Sequence, residues 1–139
     1  MLSIAKVNVD AVHPGTPPSL RPGVDLTVLS NYEKLQLDGE PNLIVELIDL
    51  YLHDAQRRVA VMWESLAESN WASLKREAHT LRGSSGNLGA LQTALICDEI
   101  EGMKFADLSS SIEVLLGCLE QELERVNHVF LAERERRLQ

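Results

Sequence analysis

The stretch PNLIVELIDLYLHDAQRRVAVMWESLA, residues 41–67, decides the fold class. Ile44, Ile48, Tyr51, Ala55, Val59, Met62 and Leu66 recur along it every three or four positions, the repeat of a helix with one buried stripe. Leu43, Leu47 and Leu50 widen that stripe, so this helix is expected to be central. Pro41 suits its first turn, where a missing N–H loses no helical hydrogen bond.

The same pattern continues on both sides. Upstream, Asp25 is expected to cap a short first helix, with Val24 and Leu29 spaced as a hydrophobic staple and an end near Leu37, before Asp38-Gly39. Downstream, Asn70 is a good cap for a third helix reaching about Asn87, and a fourth is predicted over about Ala90 to Lys104. The last is predicted to start at Ser110 with a capping box, Ser110 to Glu113, and carries Ile112, Leu115, Leu119, Leu123, Val126 and Phe130 on one face. Its charged tip, Glu133 to Arg137, is expected to fray into solvent. No useful stretch alternates with period two. The predicted fold is therefore all-α, an antiparallel four-helix bundle with an additional short N-terminal helix, occupying residues 24–139. Residues 1–23 read as a flexible tail or linker, because Pro14, Pro17, Pro18 and Pro22 fall there with Gly15 and Gly23.

Composition narrows the function. A chain of 139 residues that is 45% hydrophobic suits one compact domain. With 21 acidic against 13 basic side chains and a net charge of −8, nucleic acid is not the expected partner, since phosphate backbones require a basic surface. The most apolar run, Leu43 to Leu52, is broken by Glu46 and Asp49 and falls well short of the roughly 20 residues a bilayer needs. No membrane association is expected. The N-terminus lacks the basic start and continuous apolar run of a signal peptide, which points to the cytoplasm. Cys97 and Cys118 are too few for a disulfide framework, and no His, Cys or Asp spacing matches a metal site.

The chemistry concentrates on the third helix. Trp71, Leu74, Ala78, Leu81, Ser85 and Leu88 form its inward seam, and His79 points roughly 130° away from the seam's centre. Ala72, Lys75, Arg76, Arg82, Gly83 and Gly86 lie within about 60° of His79 around the axis. Three of these are cationic and three are small, in a chain that is acidic overall. Each mid-helix glycine costs about 0.8–1.0 kcal/mol relative to alanine. Gly83, one turn beyond His79, leaves the imidazole uncovered, which makes sense if another protein must bring a bulky group to it.

The run Ala78-His79-Thr80-Leu81-Arg82-Gly83-Ser84-Ser85, followed by Gly89-Ala90, resembles the signature of the histidine phosphotransfer (HPt) family. The likeness extends to Glu46–Leu52 and the Cys97 region, and covers roughly residues 25–130. One departure is Arg82, where the family usually has lysine; the charge is kept but the phosphate geometry differs. The resemblance implies a two-component phosphorelay intermediate that is a phosphoryl carrier rather than an enzyme. His79 would take the phosphoryl group from a receiver-domain aspartate, hold it as phosphohistidine and pass it to another receiver. Lys75, Arg76 and Arg82 would attract the phosphoryl oxygens and steer the acidic receiver pocket. The implied partners are response-regulator receiver domains, including that of a hybrid histidine kinase. No cofactor belongs to the chain itself, Mg²⁺ being supplied by the receiver, and a monomer is expected.

Alternative readings carry less of the sequence. A lone exposed histidine is ordinarily a surface residue, and His13, His53 and His128 lack the flanking glycines. Ser84 and Ser85 suit packing and helix hydrogen bonding better than nucleophilic work. The phosphoacceptor helix pair of a sensor kinase would place an acidic residue directly after the histidine and a proline soon after; here Thr80 follows, and no proline occurs after Pro41. A docking adaptor in which His79 is incidental would bind a phosphorylated receiver without acquiring its label.

Overall fold

The computed structural model describes residues 23–104 and 108–139, leaving out the side chains of 108–110. The expected tail therefore lies outside the described residues, apart from Gly23. Five α-helices follow: α1 (Thr27–Ser30), α2 (Leu43–Ala67), α3 (Trp71–Leu88), α4 (Leu91–Gly102) and α5 (Leu108–Leu138), with one 3₁₀ turn at Glu33–Leu35 between the first two. Helix α2 packs on α3 and α5, and α4 closes the ring by packing on the same two helices.

Cross-helix contacts establish that neighbours run antiparallel. Ser65 and Tyr51 of α2 bond Ser73 and Ser85 of α3, so one helix descends as the other climbs. Tyr51 also meets Phe130 of α5 edge-on, with ring centroids 5.7 Å apart, near the ion pair from Arg134 to Asp49. Tyr51 is thus a junction of three helices. Its hydroxyl lies 2.8 Å from Ser85 Oγ, and burial pushes the phenol above its usual range.

The buried stripe of α2 is the expected one from Ile44 to Met62, while Leu66 is only half-buried. Leu50, expected to widen it, is instead 67% exposed, because it lies on the outer edge of the arc that α3 and α5 cover. Asn42, not Pro41, sets the start: its Oδ1 accepts from the N–H groups of Ile44 and Val45.

Three other expectations need correction. The first helix is a single turn and does not reach Leu37. Its entry is held by tertiary bonds instead: Asp25 N–H donates to the Gly89 carbonyl at 2.8 Å, and Gln92 N–H donates to that of Gly23 at 3.1 Å. Helix α5 begins at Leu108, two residues before the expected Ser110 cap, and what the Ser110 side chain does lies outside the described residues. The charged tip is not splayed into water. Glu133 is only 7% exposed, gripped by Arg136 and Arg137 at 2.5 and 2.6 Å, while Arg137 also reaches Glu33. Among the described residues, no helix is long and apolar enough to cross a membrane.

Candidate functional site

Helix α3 is fixed at both ends. At its start, Asn70 Oδ1 accepts from Ser73 N–H at 3.1 Å, as its cap position predicts. At its end, Gly89 adopts a left-handed conformation (φ +87°), and the Ala90 N–H reaches back to the Ser85 carbonyl at 2.8 Å. A β-carbon on Gly89 would stand 2.2 Å from the Asp25 carbonyl oxygen, so conformation and space both require glycine there. This sharp turn folds α4 back along α3.

Leu74, Ala78, Leu81, Ser85 and Leu88 are buried as the seam requires, and Trp71 is half-buried. The opposite face holds the expected residues. Ala72, Arg76, His79, Gly83 and Gly86 are exposed; Lys75 and Arg82 are half-buried. The His79 side chain is 61% exposed, and a β-carbon added at Gly83 or Gly86 would meet nothing within 4 Å. An approaching surface thus finds an imidazole standing beside bare helix backbone. Ser85 bonds Tyr51, and Ser84 Oγ donates to the Leu81 carbonyl, so both serines serve packing and helix hydrogen bonding. His53 and His128 are exposed, but neither has a glycine beside it, and His13 lies outside the described residues.

The site contains two residues that the sequence reading did not single out. Glu101 of α4 places Oε2 2.7 Å from His79 Nδ1. Asp98, one turn earlier, accepts from Arg82 at 3.0 Å. Arg82 also lies 3.4 Å from the other Glu101 oxygen and 3.3 Å from His79 Nδ1. The face around His79 is therefore not simply cationic, because one guanidinium there is opposed by two carboxylates. Both partners were findable by counting outward from the Gly89-Ala90 turn: position 79 falls opposite 101, and 82 opposite 98.

The two contacts to Nδ1 compete, since one nitrogen cannot both donate to Glu101 and accept from Arg82. An ionised carboxylate accepts only, and its contact is the shorter, so geometry places the proton on Nδ1. In neutral imidazole this leaves the lone pair on Nε2, as a nucleophile requires. Nearby Cys97 is buried, with its thiol pushed up to about 12 by desolvation, and takes no such part.

Comparison with known proteins places this architecture. The model of the Hpt domain family matches residues 46–128. Histidine-containing phosphotransfer protein 5 of Arabidopsis thaliana is 30% identical over 95 residues, covering 66% of this chain and 59% of that protein. Protein 2 of the same name and plant is 26% identical over 92 residues, 64% of this chain and 57% of the relative. The match thus spans less than two thirds of these relatives' length. Among solved structures, histidine-containing phosphotransfer protein B from Pseudomonas aeruginosa PAO1 has a TM-score of 0.73 at 26% identity, covering 83% of this chain and 96% of that one. A histidine-containing phosphotransfer protein from maize has a TM-score of 0.72, covering 85% and 91%, and at 18% identity this likeness concerns the fold alone. With more than half of its length matched by the family model and the same bundle in solved relatives, this chain belongs to the Hpt domain family.

Proposed function

We propose that the protein is a phosphoryl carrier of a two-component phosphorelay, with His79 as its phosphoacceptor. The observation that carries this reading is His79 itself, 61% exposed at mid-helix beside two glycine positions with open space above them. Nε2 of neutral His79 attacks the phosphorus of a receiver's aspartyl phosphate. As the N–P bond forms, the acyl P–O bond breaks and its electron pair returns to the receiver's carboxylate. A second receiver reverses the exchange. The chain contributes the nucleophile, its orientation and an open approach, while the receivers bring the acidic pocket and Mg²⁺.

The partners are receiver domains of response regulators, including that of a hybrid histidine kinase, met by a monomer in the cytoplasm. Lys75 and Arg76, one turn from His79, draw in the acidic receiver face, and Gly83 and Gly86 admit it. Ala72 extends the low surface toward the start of α3. The test is incubation with a labelled, phosphorylated receiver domain. Wild-type protein is expected to acquire acid-labile, alkali-stable label, and His79→Gln none. Equal labelling of His79→Gln would refute the assignment.

A further inference from the structure

Two carboxylates stand at the proposed phosphoacceptor, where a group carrying about −1.5 to −2 charges is to be received. Glu101 bonds Nδ1 of His79, and Asp98 accepts from Arg82, the cation that lies beside Nδ1 at 3.3 Å. Arg82 is 40% exposed and Asp98 61%, so their pairing stabilises the fold little. Glu101 differs. Its Oε1 is buried without a hydrogen bond, 3.4 Å from Arg82 Nε, and with only 29% of the side chain exposed its Oε2 stays directed at the ring. Neither carboxylate is needed to build the bundle's apolar core.

We infer that Glu101 and Asp98 are positioning residues that make the phosphorylated state of His79 quick to unload. This rests on the reading of His79 as phosphoacceptor. When Nε2 takes the phosphoryl group, the ring keeps its Nδ1 proton and gains a positive charge, which Glu101 neutralises across the 2.7 Å bond. Discharge then needs no proton transfer to the ring. The N–P electron pair returns to Nε2, the phosphoryl group leaves to a carboxylate oxygen, or to water that gives up a proton to the buffer, and neutral imidazole is restored with its Nδ1 proton in place. Protonated imidazole leaves more readily than the anion that an unprotonated ring would release. Asp98 acts on the other side of the balance. By occupying Arg82 Nη1 it withholds a fork that would otherwise stabilise the phosphoryl oxygens, and its own charge repels them. The site combines an accessible nucleophile with surroundings that do not retain the cargo, which suits a relay rather than a store.

The experiment uses the full chain, loaded with phosphoramidate as a small phosphodonor. It compares wild type with Asp98→Asn, Glu101→Gln, Glu101→Leu and His79→Gln. Imidazole ¹⁵N shifts of the unloaded proteins report the tautomer, ³¹P shifts report which ring nitrogen is modified, and the decay of the phosphoprotein in buffer reports its lifetime. Wild type is expected to be the Nδ1–H tautomer, modified on Nε2, with the shortest lifetime. Asp98→Asn and Glu101→Gln should lengthen that lifetime about three- to tenfold, the effect of one unit charge a few ångströms away in a screened site. Glu101→Gln should keep the tautomer, its amide oxygen still accepting, whereas Glu101→Leu should lose the tautomer bias. Asp98→Asn changes an exposed side chain and carries the test even if Glu101→Leu fails to fold. Wild-type tautomer and lifetime in the folded variants, with His79→Gln refusing the phosphoryl group, would overturn the role of the acidic pair and leave His79 standing. Normal loading of His79→Gln would overturn both.

Discussion

Gly83 sets stability against transfer, and the structure supplies the terms. It lies inside α3, six residues before the Gly89 cap, exposed, with nothing within 4 Å of an added β-carbon. Replacement by alanine therefore creates no clash and buries no new surface, leaving helix propensity alone. That is worth about 0.8–1.0 kcal/mol. For an ordered domain of this size, such a gain raises Tm by about 3–6 °C. Gly83→Gln should keep about half of it, glutamine being a slightly poorer helix former. The same side chain would stand one turn from His79, where a receiver must bring its phosphorus within reach of Nε2. A misplacement near 1 Å costs about 100-fold in rate, so Gly83→Gln should melt higher than wild type yet transfer on the order of 100-fold more slowly. Calorimetry and a transfer time course on the same preparations measure both. A variant that melts higher and transfers at the wild-type rate would refute the idea that Gly83 exists to admit a partner. One that melts well below wild type would refute its placement on an open helical surface.

Other expectations concern charge and turn geometry. Burial raises the Glu122 carboxyl from 4.5 to about 7, against the opposing effect of Arg125. The folded protein therefore holds this proton more tightly than the unfolded chain, and the associated stability is fully present below about pH 4.5 and lost as pH rises through 7. Glu122→Gln should flatten that decline and add about 2 kcal/mol at pH 8, after discounting for solvent screening; urea titrations between pH 5 and 8 that keep the wild-type slope would exclude it. Changing Lys75 and Arg76 together to glutamate should slow receiver association on the order of tenfold at low salt, with little effect on dissociation. Stopped-flow rates unchanged by the reversal would make the two cations ordinary solvated charges. Gly89→Ala meets a positive φ and the Asp25 carbonyl together, and should cost about 2–3 kcal/mol; a wild-type melting curve would contradict the turn described here.

Much of this was legible because helices advertise their ends and faces locally. Asn70 marks the start of α3 in the sequence, its expected end near Asn87 falls one residue short of Leu88, and the spacing of its apolar residues aims His79 outward without reference to any other helix. What escaped the sequence was decided by partners far along the chain. Upstream of α2, the first stop signal, Asp38-Gly39, suggested a helix reaching Leu37, but the helix ends at Ser30 and the Asp25–Gly89 bond holds the entry segment across the α3–α4 turn. Glu133 sits in a run of charges that looks uniformly solvated; its burial depends on Arg136 and Arg137 curling onto it while Arg137 bridges to Glu33. The acidic side of the site was missed because charge was read along α3 alone. Asp98 and Glu101 share one face of α4 by their spacing, and only the folding of α4 back at Gly89 brings that face beside His79.

The central claim is that His79 carries a phosphoryl group in transit. It is tested most directly by loading the protein from one labelled receiver domain, removing that receiver, and adding a second, unlabelled one. Site-resolved mass spectrometry under alkaline conditions then follows the label. The account predicts that the label sits on His79 alone and leaves it as it appears on the second receiver's aspartate, with inorganic phosphate arising only afterwards. Label located on His53 or His128, or label on His79 that the second receiver cannot remove before it hydrolyses, would contradict it.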